Sequence, residues 1–130
     1  MLEVKIFTLY PDLFPGPLDI GIFKKAKENK IWNLKVINIR DYSKDNHGTV
    51  DDTPFGGGSG MLLRPDILAS ALDKNIKKGE KIIYLSPRGK KFDQNVARSL
   101  SKEKNLNLIC GHFEGVDQRL LETRNIEEYS

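Results

Sequence analysis

Between Val50 and Met61 the chain reads Val50-Asp51-Asp52-Thr53-Pro54-Phe55-Gly56-Gly57-Gly58-Ser59-Gly60-Met61, four glycines in five residues behind two adjacent carboxylates. Glycine buries no side chain and has the largest ordering cost of any residue. A dense cluster therefore marks a loop that needs positive φ, or one whose main chain must let a flat or charged ligand come close. Two phosphate-cradling fingerprints fail against it. A dinucleotide motif starting at Gly56 would need its third glycine at Met61, and one starting at Gly58 would need it at Leu63. A P-loop would need Gly-Lys-Ser or Gly-Lys-Thr where the chain has Gly60-Met61-Leu62. Asp51 and Asp52 would repel a polyphosphate as well. The plain alternative is a flexible Gly/Ser linker.

Two further runs have the composition of ligand-binding loops: Tyr84-Leu85-Ser86-Pro87-Arg88-Gly89, and Cys110-Gly111-His112-Phe113-Glu114-Gly115-Val116-Asp117-Gln118-Arg119. Glu114 is the one carboxylate within 84–87 and 111–115. There it can pair with a cationic group or orient a base; its structural alternative is a helix-start residue facing the positive end of the next segment. His112, alone beside a strand end, reads as a hydrogen-bonded structural residue.

The elements that must position these loops follow from periodicity. Leu2 to Leu9 alternates and stops at Tyr10-Pro11, a strand; Leu18 to Asn29 repeats at helical spacing through Leu18, Gly21, Ile22, Lys25 and Ala26. Leu34 to Ile39 reads as a second strand. Pro65 stands at a first helical position, and Ile67, Leu68, Ala71 and Leu72 continue the pattern to Lys77-Lys78-Gly79. Lys81 to Ser86 reads as a third strand cut by Pro87, Asp93 to Ser101 as a helix, and Leu106 to Cys110 as a fourth strand. Alternating strands and helices with near-continuous apolar strands give an α/β fold: a mostly parallel sheet with helices on both faces. Ligands sit outside the carboxyl ends of such strands, so the glycine loop, the Ser86 run and the Gly111 run should meet at one edge.

The whole chain sets few further bounds. Its 130 residues make one domain, 38% hydrophobic and 30% charged, which is ordinary for a folded protein. One cysteine, Cys110, excludes an internal disulfide and fits a reducing compartment. No run reaches the roughly 18 to 20 apolar residues of a membrane span, and the N-terminus lacks a signal-peptide layout, so cytoplasm is the expectation. A net charge of +3 does not by itself argue for a polyanion partner. Local groups at Lys24, Lys25, Lys27 and Lys30, at Lys77 and Lys78, and at Arg88, Lys90 and Lys91 suit either phosphates or a solvated surface.

Read together, the glycine run, the 84–89 run and the 110–119 run, with Lys5-Ile6-Phe7-Thr8-Leu9-Tyr10-Pro11 and Asn38-Ile39-Arg40-Asp41, make the chain resemble the bacterial tRNA (guanine-N1)-methyltransferases of the SPOUT superfamily. The resemblance runs to the last residue. It implies a cofactor pocket in a trefoil knot and methyl transfer from S-adenosylmethionine to N1 of the guanine 3′ of the anticodon in tRNA. It implies that Tyr84, Leu85, Ser86 and Pro87 form one wall of the cofactor pocket and that Gly111, Glu114 and Gly115 form another, with Glu114 in a supporting catalytic role. Asp51, Asp52, Gly56, Gly57 and Gly58 become substrate-binding candidates, because an RNA base must be splayed out before its edge is reachable. No metal site is implied; a homodimer is.

The family's chain continues past Ser130 into the rest of the knot and a helical tRNA-binding domain. The resemblance places the general base, an aspartate, and a positioning arginine there. Residues 1–130 are thus expected to be the N-terminal cofactor-binding domain, inactive alone. His47-Gly48-Thr49 stands where the family usually has more basic residues, and Phe113 where a tyrosine is frequent. The rival expectation is a noncatalytic RNA-binding module on the same fold.

Overall fold

A computed structural model describes residues 1–43, 51–52, 62–110 and 116–130. Strands β1 (Leu2–Thr8), β2 (Trp32–Asn38), β5 (Lys81–Lys90), β6 (Asn105–Ile109) and β7 (Glu127–Tyr129) form one sheet in the order β2-β1-β6-β5-β7. Every pairing in it is parallel. A parallel pair cannot be closed by a tight turn, so each strand must return by a crossover. Helices α1 (Gly21–Glu28), α2 (Pro65–Asn75), α3 (Gln94–Ser101) and α4 (Gln118–Thr123) supply them. The short strands β3 (Asp51–Asp52) and β4 (Leu62–Leu63) pair antiparallel apart from this sheet.

Both faces are covered, as the continuous apolar strands require. On one face Phe7, Leu9, Ile37, Ile39, Tyr84 and Ile109 pack with Ile67, Leu68, Ala71 and Leu72 of α2 and Leu120 and Leu121 of α4. On the other, Ile83 and Leu106 pack with Leu100 of α3, flanked by Val4, Val96 and Leu108. Neighbouring strand residues thus go to opposite cores: Ile82 and Tyr84 to the first, Ile83 to the second.

Local signals explain the boundaries. Pro65 opens α2 where its missing N–H costs nothing, as expected. Asp93 caps α3 by accepting the Val96 N–H at 2.9 Å. Three expectations are revised. The helix expected from Leu18 is split into a 3-10 turn over Gly16–Asp19 and α1 from Gly21, and its apolar residues find no core: Ile20, Ile22 and Phe23 are 67%, 76% and 51% exposed. Strand β5 does not end at Pro87. It makes an excursion over Ser86–Gly89 and rejoins at Lys90, so that Tyr129 pairs with both Leu85 and Lys90. Helix α4 and strand β7 were not foreseen; six and three residues are too short for a periodicity to declare itself.

Candidate active site: the carboxyl edge of the parallel sheet

The register fixes which strand ends are neighbours. Thr8 lies opposite Asn38, Phe7 opposite Ile109, Tyr84 opposite Ile109 and Leu85 opposite Tyr129. The ends of β2, β1, β6 and β5 therefore form a single edge, from which the segments leading to the glycine run, the Gly111 run and the Ser86 run all depart. The strand order also reverses between β1 and β6: β1 is followed by β2 on one side, β6 by β7 on the other. Open α/β sheets take ligands at the carboxyl ends beside such a reversal.

Along this edge the main chain is held by short side chains. Thr8, almost fully buried, accepts the Tyr10 N–H at 3.0 Å on its hydroxyl. Asn38 accepts the Arg40 N–H at 3.0 Å. Arg40 donates to the Leu9 carbonyl at 3.2 Å and lies 5.6 Å from the Tyr10 ring centre. These turns lie where β1 and β2 end.

Four candidate residues, Tyr84 to Pro87, sit at the end of β5 and face different surroundings. Tyr84 is a core residue, its ring within the first cluster, so its contribution to the edge is its main chain. Burial, and then the Glu128 carboxylate, push its phenol above the ordinary value. Leu85 is 53% exposed and Pro87 is exposed, an apolar pair at the carboxyl end of the strand's first stretch. Ser86 is half-buried and its hydroxyl is committed: it donates to the Glu128 carboxylate and accepts the Arg88 N–H at 3.2 Å.

The Ser86–Gly89 excursion is pinned from below by the next strand. The Ser130 N–H donates to the Lys90 carbonyl at 2.8 Å, and the Phe92 N–H to the Ser130 carbonyl at 2.9 Å. The Phe92 ring meets Tyr129 edge-on, centres 6.0 Å apart. Gly89 lies so close to the Tyr129 main chain that a Cβ there would overlap its N, Cα and C atoms. Glycine at 89 is thus required by packing, which its place after Pro87-Arg88 did not reveal. Below this clamp, Lys81 donates to Glu127 at 2.7 Å and the Tyr129 hydroxyl donates to the same carboxylate at 2.8 Å. The bond from Lys81 holds the Glu127 carboxyl below its ordinary value and the Lys81 ammonium above its own.

The other candidates are not brought together here. Gly56, Gly57 and Gly58, and Gly111, Glu114 and Gly115, lie outside the described residues, as does His112. Asp51 and Asp52 are placed by main chain only, in β3, opposite Leu63 and Leu62. Cys110 closes β6 with its N–H on the Phe7 carbonyl at 2.9 Å, and burial pushes its thiol up, which disfavours a reactive thiolate. Two cavities, about 560 Å³ around Lys77–Lys81 and Arg124 and about 760 Å³ between α3 and Glu127–Tyr129, are lined without Leu85, Ser86 or Pro87. The second takes in Arg88 and Gly89 of the Ser86 run but none of the candidate residues Tyr84 to Pro87; we place the candidate site at the strand ends, because those four residues and the roots of the other two loops lie there. Sequence reasoning missed Glu128. Its signal was present in Glu127-Glu128-Tyr129, yet nothing local said which strand this run would join.

The fold defines a class: an α/β domain built on a parallel sheet, the kind of sheet whose ligands sit at the carboxyl ends of the strands. Within that class, the chain belongs to the tRNA (Guanine-1)-methyltransferase TrmD family, whose model matches residues 2–130. It is similar to the tRNA (guanine-N(1)-)-methyltransferase of Pelagibacter ubique, 68% identical over all of this chain and 57% of that protein. The proteins of the same name from Wolbachia pipientis wMel and Alkaliphilus oremlandii are each 46% identical over 98% of this chain, covering 55% and 54% of their own lengths. The chain thus spans a little over half the length of the curated relatives it matches.

Proposed function

We propose that residues 1–130 are the cofactor-binding domain of an enzyme that methylates N1 of the guanine 3′ of the anticodon in tRNA, with S-adenosylmethionine as donor. The observation that carries this is the carboxyl edge itself. Four parallel strand ends stand in register there, and one of them presents exposed Leu85 and Pro87 on either side of an immobilised Ser86. Exposed apolar side chains on a fixed main chain suit a flat adenine ring, and strand-end N–H and C=O groups supply its polar contacts. The donor brings a methyl group on a positively charged sulfur.

The roles of the remaining candidates follow from the family likeness. Gly111, Glu114 and Gly115 form the opposite wall, with Glu114 supporting the chemistry by its negative charge; Asp51, Asp52 and Gly56–Gly58 receive the guanine. N1 of guanine carries a proton at neutral pH and attacks a methyl group only as that proton leaves. A positioned base is worth roughly a hundred- to ten-thousand-fold in rate, and none of the residues described here is assigned that part. The clasp of Tyr129 by the Leu85–Lys90 excursion is compatible with a trefoil-knotted pocket. A homodimer is supported by the exposed Leu13, Ile20, Ile22 and Phe23, apolar residues that no core of the described chain covers. A tRNA substrate and the absence, among the described residues, of any helix long and apolar enough to cross a membrane support a place in the cytoplasm.

Equilibrium binding of S-adenosylmethionine, with ATP and NAD as controls, and methyl transfer to a tRNA transcript test the proposal on the natural-length protein that carries this chain. Saturable binding of the methyl donor alone and transfer lost when the target guanine is replaced by adenine are expected. Binding of tRNA without either response would leave a noncatalytic RNA-binding module, and refute it.

A further inference from the structure

Ser86 stands in the proposed cofactor wall, yet its hydroxyl is already occupied on both sides, donating to Glu128 and accepting from the Arg88 N–H at 3.2 Å. Glu128 is on β7, directly opposite Tyr84 in the register, and half-buried. A carboxylate accepting a hydroxyl proton makes a charge-assisted bond, roughly twice as strong as a neutral one. The hydroxyl it polarises is in turn a better acceptor for the Arg88 N–H. Leu85 and Pro87, the two exposed apolar residues of the wall, flank the serine held this way.

We infer that Glu128 is a positioning residue for the methyl-donor pocket: by fixing the Ser86 hydroxyl it sets the path of the Leu85–Gly89 main chain on which the donor's flat ring would rest. This rests on the function proposed above. Glu128 does not touch the donor in this account. It acts through Ser86, and its effect is on how much of the wall is already in place before the donor arrives, since a preformed site avoids the ordering cost of binding.

The test is calorimetric titration of S-adenosylmethionine into the natural-length protein and its Glu128→Ala, Glu128→Gln, Ser86→Ala and Glu128→Ala/Ser86→Ala variants, with the unfolding midpoint of each recorded. Glu128→Ala should weaken binding by about tenfold, the equivalent of about 1.4 kcal/mol. Glu128→Gln keeps an acceptor oxygen for Ser86 and should stay within about threefold of the unmodified protein. Ser86→Ala should cost about as much as Glu128→Ala, and the double variant no more than either alone, because the two residues act through one bond.

Full affinity in Glu128→Ala, losses that add in the double variant, or a Glu128→Gln as weak as Glu128→Ala would each overturn the inference while leaving the proposed function standing. An unmodified protein that does not bind the donor overturns both. Should Glu128→Ala not fold, Ser86→Ala and Glu128→Gln decide: a weakened alanine variant beside a near-normal glutamine variant supports the inference, and any other pattern refutes it.

Discussion

Replacing Gly89 by alanine probes the clasp between β5 and β7 more directly than any other single change. A Cβ at Gly89 would stand 2.5 Å from Tyr129 Cα and closer still to the N and C atoms of that residue. Carbon atoms in comfortable contact are about 3.5–4.0 Å apart, so the two main chains must separate by roughly 1 Å. Neither is free to move. The Ser130 N–H is bonded to the Lys90 carbonyl at 2.8 Å and the Phe92 N–H to the Ser130 carbonyl at 2.9 Å. Separation sacrifices those two bonds, at about 1 kcal/mol each; resistance costs the 1–3 kcal/mol or so typical of overpacking. Either route gives about 2 kcal/mol. A domain of this length melts with an entropy near 0.27 kcal/mol per kelvin, so the midpoint should fall by about 7 °C.

The assay is thermal unfolding of Gly89→Ala beside Gly79→Ala. Gly79 has φ of +92° and no atom within 4 Å of its hypothetical Cβ, so its loss is backbone strain alone, about 1–2 kcal/mol, and is remote from the carboxyl edge. Both variants should be destabilised, but Gly89→Ala alone should also weaken binding of S-adenosylmethionine. A Gly89→Ala protein that melts within about 1 °C of its parent would refute the packing argument.

Three other outcomes follow from the same geometry. Because Glu127 is held below its ordinary value, its stabilising contribution is complete above the normal carboxylate range and is lost as the pH falls through its lowered folded value. Lys81, raised, contributes fully below its ordinary value and loses this as the pH rises past the raised one. Glu127→Gln should therefore cost stability at pH 7 and little at pH 3, by denaturant titration. With the two side chains 39% and 33% exposed, the pair is worth about 1 kcal/mol or less. Asn107, fully buried, donates to Glu80 at 3.1 Å and to the Lys81 carbonyl at 3.0 Å. Asn107→Leu should cost about 1–3 kcal/mol, and Asn107→Asp more at pH 7, since it sets a second carboxylate against Glu80. Asp93→Ala should cost about 1 kcal/mol by removing the cap of α3, with Asp93→Asn close to the parent in the same denaturant assay.

How much of this was legible beforehand differs by element. Where a segment could be read against a period, reading mostly succeeded: the apolar runs of β1, β2, β5 and β6, the Pro65 start of α2 and the helix beginning near Asp93 are local facts, the segment from Leu18 being the exception, and a strand-helix alternation leaves a parallel sheet as the economical way to bury both faces. From that alone it followed that the Ser86 and Gly111 runs depart from the same edge. Pairing was another matter. That β7 lies beside β5, that Tyr129 is gripped at both Leu85 and Lys90, and that Gly89 is glycine because of Tyr129 are relations between residues some 40 positions apart. Glu128 shows the limit most plainly: nothing in its type or its neighbours gave it a partner, and only the register that sets it against Tyr84 makes it the partner of Ser86. A chain states its periodicities along its own length, but contact, burial and the meaning of a carboxylate arise across the sheet, where distances are set by which strands have come to lie side by side.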